Sequence, residues 1–282
     1  MSVQEIKKKL EAIKNVSQIY LTGGEPTLHK DIFEIISLIK TYNIYVELLT
    51  NGLMFSYRDF VKKLKARGLN SVYFSFHSHD KKISEKLSRT HSYDLILKGI
   101  HNSISLGLDT KIVHVINSLN YRFLPDFIDF LHENLPQISF LNLSLINPVG
   151  EAMENSWIVP KYIDIKPFLK KAIQKCIDYK IFFCVSSIVP LCLIDGFEHY
   201  ASSTKFKLEK FALIDEAQGS SRKLNFSKPD NYAEKADQCK NCTLNEICVG
   251  FFPNYKKLYG DDEFIASSKS AKRIIEKIGL KL

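Results

Sequence analysis

No cysteine occurs before Cys176 in this 282-residue chain; the six present are Cys176, Cys184, Cys192, Cys239, Cys242 and Cys248. Long hydrophobic runs are missing too. The longest uncharged run, Asn134 to Gly150, is interrupted by Pro136, Gln137, Asn142, Asn147 and Pro148, and falls short of the ~20 mostly apolar residues of a membrane span. Met1 to Lys9 is charged and has no apolar core, so no secretory signal is expected and the cytoplasm is the expected compartment. A disulfide network is not expected there, and clustered cysteines read as metal ligands. Internal repeats and low-complexity tracts are absent, which excludes solenoid and fibrous classes. What is present is ordinary: 45% hydrophobic and 25% charged residues, the profile of a globular protein with one sizeable core. The excess of 39 Lys+Arg over 31 Asp+Glu is spread along the chain apart from Lys7, Lys8 and Lys9. It reads as solvated helix faces and gives only a weak reason for a polyanionic partner such as nucleic acid.

Strand and helix patterns alternate over the first three-quarters of the chain. Val3, Ile6, Leu10 and Ile13 recur at helical spacing, and Ser17 to Thr22 reads as a buried strand. Helices are expected over 31–42, 57–67 and 124–133, with two short ones before Leu106 and another over 164–179. Strands are expected over 44–50, 71–77, 110–116, 138–145 and 181–185. Strict alternation means βα units on a parallel sheet, and five or six strands are too few for an eight-unit barrel. After Pro190 polar residues dominate and strands are hard to place; Gly219-Ser220-Ser221 and Lys228-Pro229-Asp230 mark loops. The expected organisation is an α/β barrel-like domain over 1–189 and a small cysteine-bearing extension over 190–282.

Two sites stand out. Thr22-Gly23-Gly24-Glu25-Pro26-Thr27-Leu28-His29 follows the first strand, at the sheet edge where α/β proteins bind ligands. Paired glycines let a ligand approach the backbone, a carboxylate beside them can accept from an ammonium group, and Pro26 ends the strand. The second site is C-x46-C-x2-C-x5-C at Cys192, Cys239, Cys242 and Cys248. Two thiolates from one turn, a third after five residues and a fourth from a distant loop give four-fold ligation, and both zinc and an iron–sulfur cluster suit it. Cys176 in a helix and Cys184 in a strand read as buried thiols. His77, His91 and His114 read as core or solvent residues.

The Gly-Gly-Glu-Pro string resembles the motif of radical S-adenosylmethionine (radical SAM) enzymes. Leu49-Thr50-Asn51-Gly52, Phe74-Ser75-Phe76-His77-Ser78, Val115-Ile116-Asn117 with Asn120, and Pro148-Val149-Gly150 are similar to that family's later strand ends, in order and spacing, over roughly Val3 to Val185. The resemblance implies a partial (β/α)6 TIM-like barrel with S-adenosylmethionine across its carboxyl edge. Gly23, Gly24, Glu25 and Pro26, with Thr50 and Asn51, would surround the methionine amino group. Ser75 would bind its carboxylate or the ribose, and Asn117 would donate to a ribose hydroxyl. Cleavage of the cofactor would give a 5′-deoxyadenosyl radical that abstracts hydrogen, with the protein supplying orientation and exclusion of water. Cys239, Cys242 and Cys248, with Gly250, Tyr255, Tyr259, Gly260 and Glu263, resemble the auxiliary-cluster extension of the SPASM and twitch class. That implies one auxiliary 4Fe–4S cluster in place of zinc, a peptide or small-molecule substrate, and a reductant such as ferredoxin or flavodoxin. Phe251, Phe252, Tyr255 and Tyr259 are expected to pack the extension on the barrel.

The family's catalytic cluster is bound through C-x3-C-x2-C after the first strand, upstream of Gly-Gly-Glu-Pro, and this sequence has no such motif. The expectation is a chain that starts inside the first helix of the barrel and lacks the first βα unit, so that it is inactive alone. The alternative is a cluster-less relative that serves as a binding or partner protein with a structural metal site. A zinc-containing nucleic-acid binder is a third reading, which leaves Gly-Gly-Glu-Pro unexplained.

Overall fold

A computed structural model describes residues 1–12, 16–186, 188–209, 212–217, 220–225 and 232–279. Ile13, Gly219 and Lys228-Pro229-Asp230 fall outside the described residues. In chain order the elements are α1 (Val3–Ala12), β1 (Gln18–Leu21), α2 (Ile32–Thr41), β2 (Tyr45–Thr50), α3 (Arg58–Ala66), β3 (Ser71–Ser75), α4 (Lys81–Ser88) and α5 (Tyr93–Ser105). Then come β4 (Asp109–Ile116), α6 (Leu124–Asn134), β5 (Phe140–Leu145), α7 (Glu151–Glu154), α8 (Tyr162–Asp178) and β6 (Phe183–Ser186). The chain continues with α9 (Ser202–Leu208), β7 (Ala212–Ala217), β8 (Ser220–Asn225), α10 (Pro253–Tyr259) and α11 (Ala271–Ile278). The strands β1 to β6 lie in sequence order in one parallel sheet, a half-barrel whose connections carry the helices. This is the α/β partial barrel expected; the strands and helices anticipated over the first 186 residues lie close to their places, and the short α7 is an addition.

Two details differ. β1 stops at Leu21, so Pro26 does not end it; Pro26 instead opens a one-turn 3-10 helix over Pro26–Leu28, where its missing N–H costs nothing. The polar stretch after Asp195 holds an antiparallel hairpin, β7 with β8, pairing Ala212 with Asn225 through to Ala217 with Ser220. Ser220 and Ser221 are therefore strand residues, not a loop.

The described residues form two compact units, 1–114 with 133–141 and 115–132 with 142–282. In the first, the register aligns Glu47 with Ser71 and Asp109, and Leu48 with Val72 and Thr110. Because side chains alternate across a strand, Val46, Leu48, Val72, Phe74 and Ile112 share one face and are fully buried. α2 supplies Ile32, Ile35, Ile36 and Ile39 at helical spacing, and all four are buried. The opposite face carries Gln18, Tyr20, Glu47, Ser71, Tyr73, Ser75, Asp109 and Lys111. It is polar and internally paired: Glu47 accepts from Ser71 Oγ at 2.6 Å and from Gln18 Nε2 and Lys111 Nζ. Burial pulls the Lys111 ammonium down, but the Glu47 hydrogen bond and the nearby Glu47 and Asp109 charges outweigh it and hold the group at about 12. A buried charge is tolerated here because it is paired and hydrogen-bonded.

In the second unit Tyr255 is wholly buried and stacks on Tyr162 of α8, with ring centroids 3.8 Å apart. Its hydroxyl accepts from the Tyr162 backbone N–H at 2.7 Å and donates to Glu263 Oε1, while Glu263 Oε2 accepts from the Ile163 N–H at 2.6 Å. Phe251 and Phe264 stack 4.2 Å apart beside them. Of the four aromatic residues expected to pack the extension, Tyr255 stacks on α8, Phe251 packs on Phe264, a residue outside that set, and the Tyr259 hydroxyl donates to Val159 O at 2.6 Å.

Candidate functional site

The Gly-Gly-Glu-Pro loop leaves β1 in the first unit. A side chain built on Gly23 or Gly24 would meet no protein atom within 4 Å, so both backbones face open space. Glu25 does not face that space with an uncommitted carboxylate. Oε1 accepts from Thr27 N at 3.1 Å, Thr27 Oγ1 at 2.6 Å and Thr50 Oγ1 at 2.8 Å, and Oε2 accepts from Asn51 N at 2.7 Å. The carboxylate thus pins its own loop to the end of β2, and only Oε2 keeps an acceptor site for a ligand ammonium. Thr50 is buried; its hydroxyl donates to Glu25 and accepts from Gly52 N at 3.0 Å, so it holds Glu25 and does not itself face a ligand. Asn51 is exposed, with Oδ1 accepting from Leu53 N at 3.0 Å and its amide N–H groups left for other use. Ser75 is the last residue of β3, half-buried on the polar face.

Of the eight expected cofactor residues, Glu25, Thr50 and Asn51 are therefore joined in one hydrogen-bonded cluster, with Gly23, Gly24 and Pro26 beside Glu25 in the chain. Thr27 belongs to it too. Its only sequence signal is a hydroxyl two residues after the carboxylate, the spacing of a local side-chain-to-backbone turn. Beyond Ser75, His77 is kept neutral by burial, its pKa falling to about 4. Its ring meets that of His114 edge-on at 6.3 Å, and burial holds His114 well below the ordinary histidine range as well.

Asn117 follows β4 in the second unit and is buried. Its Nδ2 donates to Val115 O at 3.1 Å and its Oδ1 accepts from Leu119 N at 2.9 Å. One amide hydrogen stays uncommitted, enough for one ligand hydroxyl.

Cys192, Cys239, Cys242 and Cys248 all line one pocket of the second unit, with Lys235, Gly250, Phe264 and Ser267. Two of the four sulfurs accept a backbone hydrogen bond. Ser267 N–H donates to Cys242 Sγ and Gly250 N–H to Cys248 Sγ, both at 3.3 Å. Burial pushes the Cys192 thiol up to about 11, and the backbone at Ile265 works against it. Cys239 is also raised by burial, opposed by the backbone at Ala236. N–H donors aimed at sulfur are what cluster thiolates use to disperse their charge. Cys176 and Cys184 are also raised by burial, to about 12 and about 11, but neither lines that pocket. Among the described residues no three His, Cys, Asp or Glu side chains converge tightly enough to hold a single metal ion.

The chemistry of these donors can be tested against the groups the resemblance implies. The open glycine backbone and the residual acceptor on Glu25 fit an amino-acid end of S-adenosylmethionine. Four cysteines on one pocket, two of them with a backbone donor, are a donor set that fits an auxiliary cluster. The catalytic cluster finds no fit, since no cysteine precedes Cys176.

The family model for the "Radical SAM superfamily" matches residues 1–131 of this chain. A protein of Saccharolobus islandicus named "Probable GTP 3',8-cyclase" is 30% identical over 185 residues, covering 62% of this chain and 58% of that protein. A protein of the same name from Sulfurisphaera tokodaii is 32% identical over 162 residues, 57% of this chain and 50% of its own. The chain thus spans under two-thirds of the length of these curated relatives. Among solved structures, Streptococcus suis SuiB bound to S-adenosylmethionine aligns with a TM-score of 0.63 at 17% identity, covering 95% of this chain and 70% of SuiB. The anSMEcpe protein with bound AdoMet aligns at 0.62 and 16% identity, covering 98% of this chain and 85% of that one. These likenesses extend the shared fold through the cysteine-bearing region. Among the described residues no helix is long and apolar enough to cross a membrane.

Proposed function

We propose that this chain is the barrel, over 1–189, and auxiliary-cluster extension, over 190–282, of a radical SAM enzyme that modifies a peptide or other small substrate in the cytoplasm. The observation that carries it is the convergence of Cys192, Cys239, Cys242 and Cys248 on one pocket, with backbone donors to Cys242 and Cys248, in a chain whose Gly-Gly-Glu-Pro loop is pinned open by Glu25. When bound, S-adenosylmethionine supplies a hydrogen-abstracting radical. The chain's own part is to bind and orient. Gly23 and Gly24 offer backbone to the amino-acid end, Oε2 of Glu25 accepts from its ammonium, Ser75 takes its carboxylate or ribose, and Asn117 donates one amide hydrogen to a ribose hydroxyl. The four cysteines would hold a 4Fe–4S cluster. A cubane gives each thiolate its own iron and so suits sulfurs set around a pocket, whereas one zinc needs all four within about 3.8 Å of each other.

The relatives named for GTP and the structure of SuiB with its precursor peptide SuiA bracket the substrate classes. The extension favours the peptide. Because no cysteine precedes Cys176, the 282-residue chain alone is expected not to cleave S-adenosylmethionine. A ferredoxin- or flavodoxin-type reductant would serve a form that carries that cluster.

The test is anaerobic reconstitution of the chain with iron and sulfide, followed by metal and sulfide counts and S-adenosylmethionine binding by calorimetry. Four irons per chain, S-adenosylmethionine binding without release of 5′-deoxyadenosine, and loss of iron in C239S and C242S but not C176S are expected. Zinc in place of iron, or no metal, would overturn the cluster assignment and favour a non-catalytic binding protein.

A further inference from the structure

Among the described residues, two lysines without an acidic partner stand at the four-cysteine site, Lys235 lining the pocket and Lys207 on the backbone of Cys248. Lys207, in the last turn of α9, is half-buried and points its ammonium at the backbone: Nζ donates to Cys248 O at 3.0 Å. Lys235 lines the pocket, and its Nζ donates to Asn245 O and Asn245 Oδ1, both at 2.7 Å. Among the described residues neither is in ion-pair contact with a carboxylate, and Glu246 acts on Lys207 only at longer range. Other lysines of the same unit are paired: Lys269 holds Asp195 and Glu198 at 2.5 and 2.6 Å, Lys175 holds Asp129 at 2.5 Å, and Lys256 holds Asp261 at 2.8 Å.

Half-buried charge without a counter-ion is costly, and a protein keeps it where an opposite charge is to come. Four thiolates around a 4Fe–4S core make a doubly negative unit, and reduction by one electron makes it triply negative. Backbone N–H donors disperse that charge but do not neutralise it. Two fixed cations on the Cys248 side of the pocket do neutralise it, and favour the reduced state over the oxidised one because its charge is larger.

We propose that Lys207 and Lys235 are the counter-charges of the four-cysteine site and set the reduction potential of its cluster, raising it above that of an otherwise identical uncompensated site. This rests on the auxiliary-cluster reading above. The lysines are positioning residues: they reach the cluster through the carbonyls of Cys248 and Asn245 and through space, and supply no ligand.

The experiment is a potentiometric titration, followed by electron paramagnetic resonance, of the reconstituted full chain as wild type, K207Q, K235Q, K207R and K235R. Glutamine keeps a hydrogen-bond donor and removes the charge, whereas arginine keeps the charge. Each glutamine variant is expected to lower the reduction equilibrium constant about tenfold, which is ~59 mV for one electron. Each arginine variant is expected to stay near wild type. A glutamine variant that sheds its iron while the arginine variant keeps it is the same effect in stronger form. Glutamine variants with wild-type potentials overturn the proposal, as does iron loss shared by the glutamine and arginine variants, which would mark a shape requirement instead of a charge. A wild-type chain that takes up no iron overturns this proposal together with the cluster reading, and the iron count separates that failure from the others.

Discussion

Replacing Gly250 with alanine tests whether the cysteine pocket is built by close backbone packing. Gly250 has a φ of +98°, and a Cβ there would sit 1.9 Å from Glu234 O and 2.9 Å from Glu234 C. Neither atom can swing away, because Glu234 is held to Phe251 by two backbone hydrogen bonds, Glu234 N to Phe251 O at 2.8 Å and Phe251 N to Glu234 O at 3.0 Å. Alanine must break that bridge, at about 0.5–1.5 kcal/mol for each bond, and hold a left-handed backbone at about 1–2 kcal/mol. The Gly250 N–H donated to Cys248 Sγ is displaced in the same movement. Gly196 gives an internal control. Its φ is +96°, and a Cβ there meets nothing within 4 Å, so G196A carries the left-handed penalty alone. Urea denaturation should therefore show G250A less stable than G196A by about 1–3 kcal/mol, the bridge bonds alone. After reconstitution, G250A should hold less iron than G196A. Equal stability of the two variants, with equal iron, would refute the argument that Gly250 is there for the approach of Glu234.

Other expectations follow from the same geometry. E25A frees Thr50 Oγ1 and the Asn51 N–H, and should weaken S-adenosylmethionine binding at least ~10-fold by calorimetry, with E25Q in between; wild-type affinity in E25A would remove Glu25 from the site. His77 titrates near 4 when folded, because of burial, against 6.5 for an exposed histidine. Between those values the unfolded chain binds more protons, so stability is intact above pH 6.5 and falls as the pH drops toward 4, by roughly 3 kcal/mol from this residue. Denaturation midpoints measured across that range should fall less steeply in H77Q, and identical slopes would show that His77 is not the buried base. Y255F leaves the buried Tyr162 N–H and Glu263 Oε1 without their partner, and should cost about 1–3 kcal/mol; an unchanged melting curve would make the hydroxyl dispensable.

The barrel was legible because its information is local. Ile32, Ile35, Ile36 and Ile39 announce a helix face by spacing alone, and Gly68 marks the end of α3. The sheet order then follows from alternation. The hairpin of β7 and β8 was not legible, since Asp215, Glu216, Ser220, Arg222 and Lys223 give it the composition of a loop. At the candidate sites the residue types could be read but not their division of labour. Glu25 reads as a ligand-facing carboxylate, yet all four of its bonds come from hydroxyls and N–H groups of Thr27, Thr50 and Asn51, the last two at the end of the next strand. The donors to the cysteine sulfurs at Gly250 and Ser267 are backbone groups, which carry no residue signature. Lys207 and Lys235 look like any surface lysine until α9 brings one to the carbonyl of Cys248 and the segment after the hairpin brings the other to the pocket.

Glycine serves opposite purposes at the two sites, and one further substitution separates them. At Gly250 the absent side chain makes room for another part of the chain. At Gly24 it makes room for nothing in the protein: a Cβ meets no atom within 4 Å, and the backbone is not in the left-handed region. An alanine at Gly24 therefore has no reason to change stability, and G24A should melt with the wild type. Its neighbour is the harder test, because Gly23 has a φ of +135° and an alanine there is strained whether or not a ligand binds. If the space above Gly24 is where the amino-acid end of S-adenosylmethionine lies, the added methyl occupies it. Affinity should then fall at least ~10-fold while the melting temperature holds, since a ligand must give up backbone contact or shift. Wild-type affinity in G24A would mean that the open backbone is simply exposed loop. Lost affinity with lost stability would mean that the loop itself was disturbed. Only the loss of binding at full stability identifies a glycine kept for a ligand, and it can be measured on this chain without the catalytic cluster.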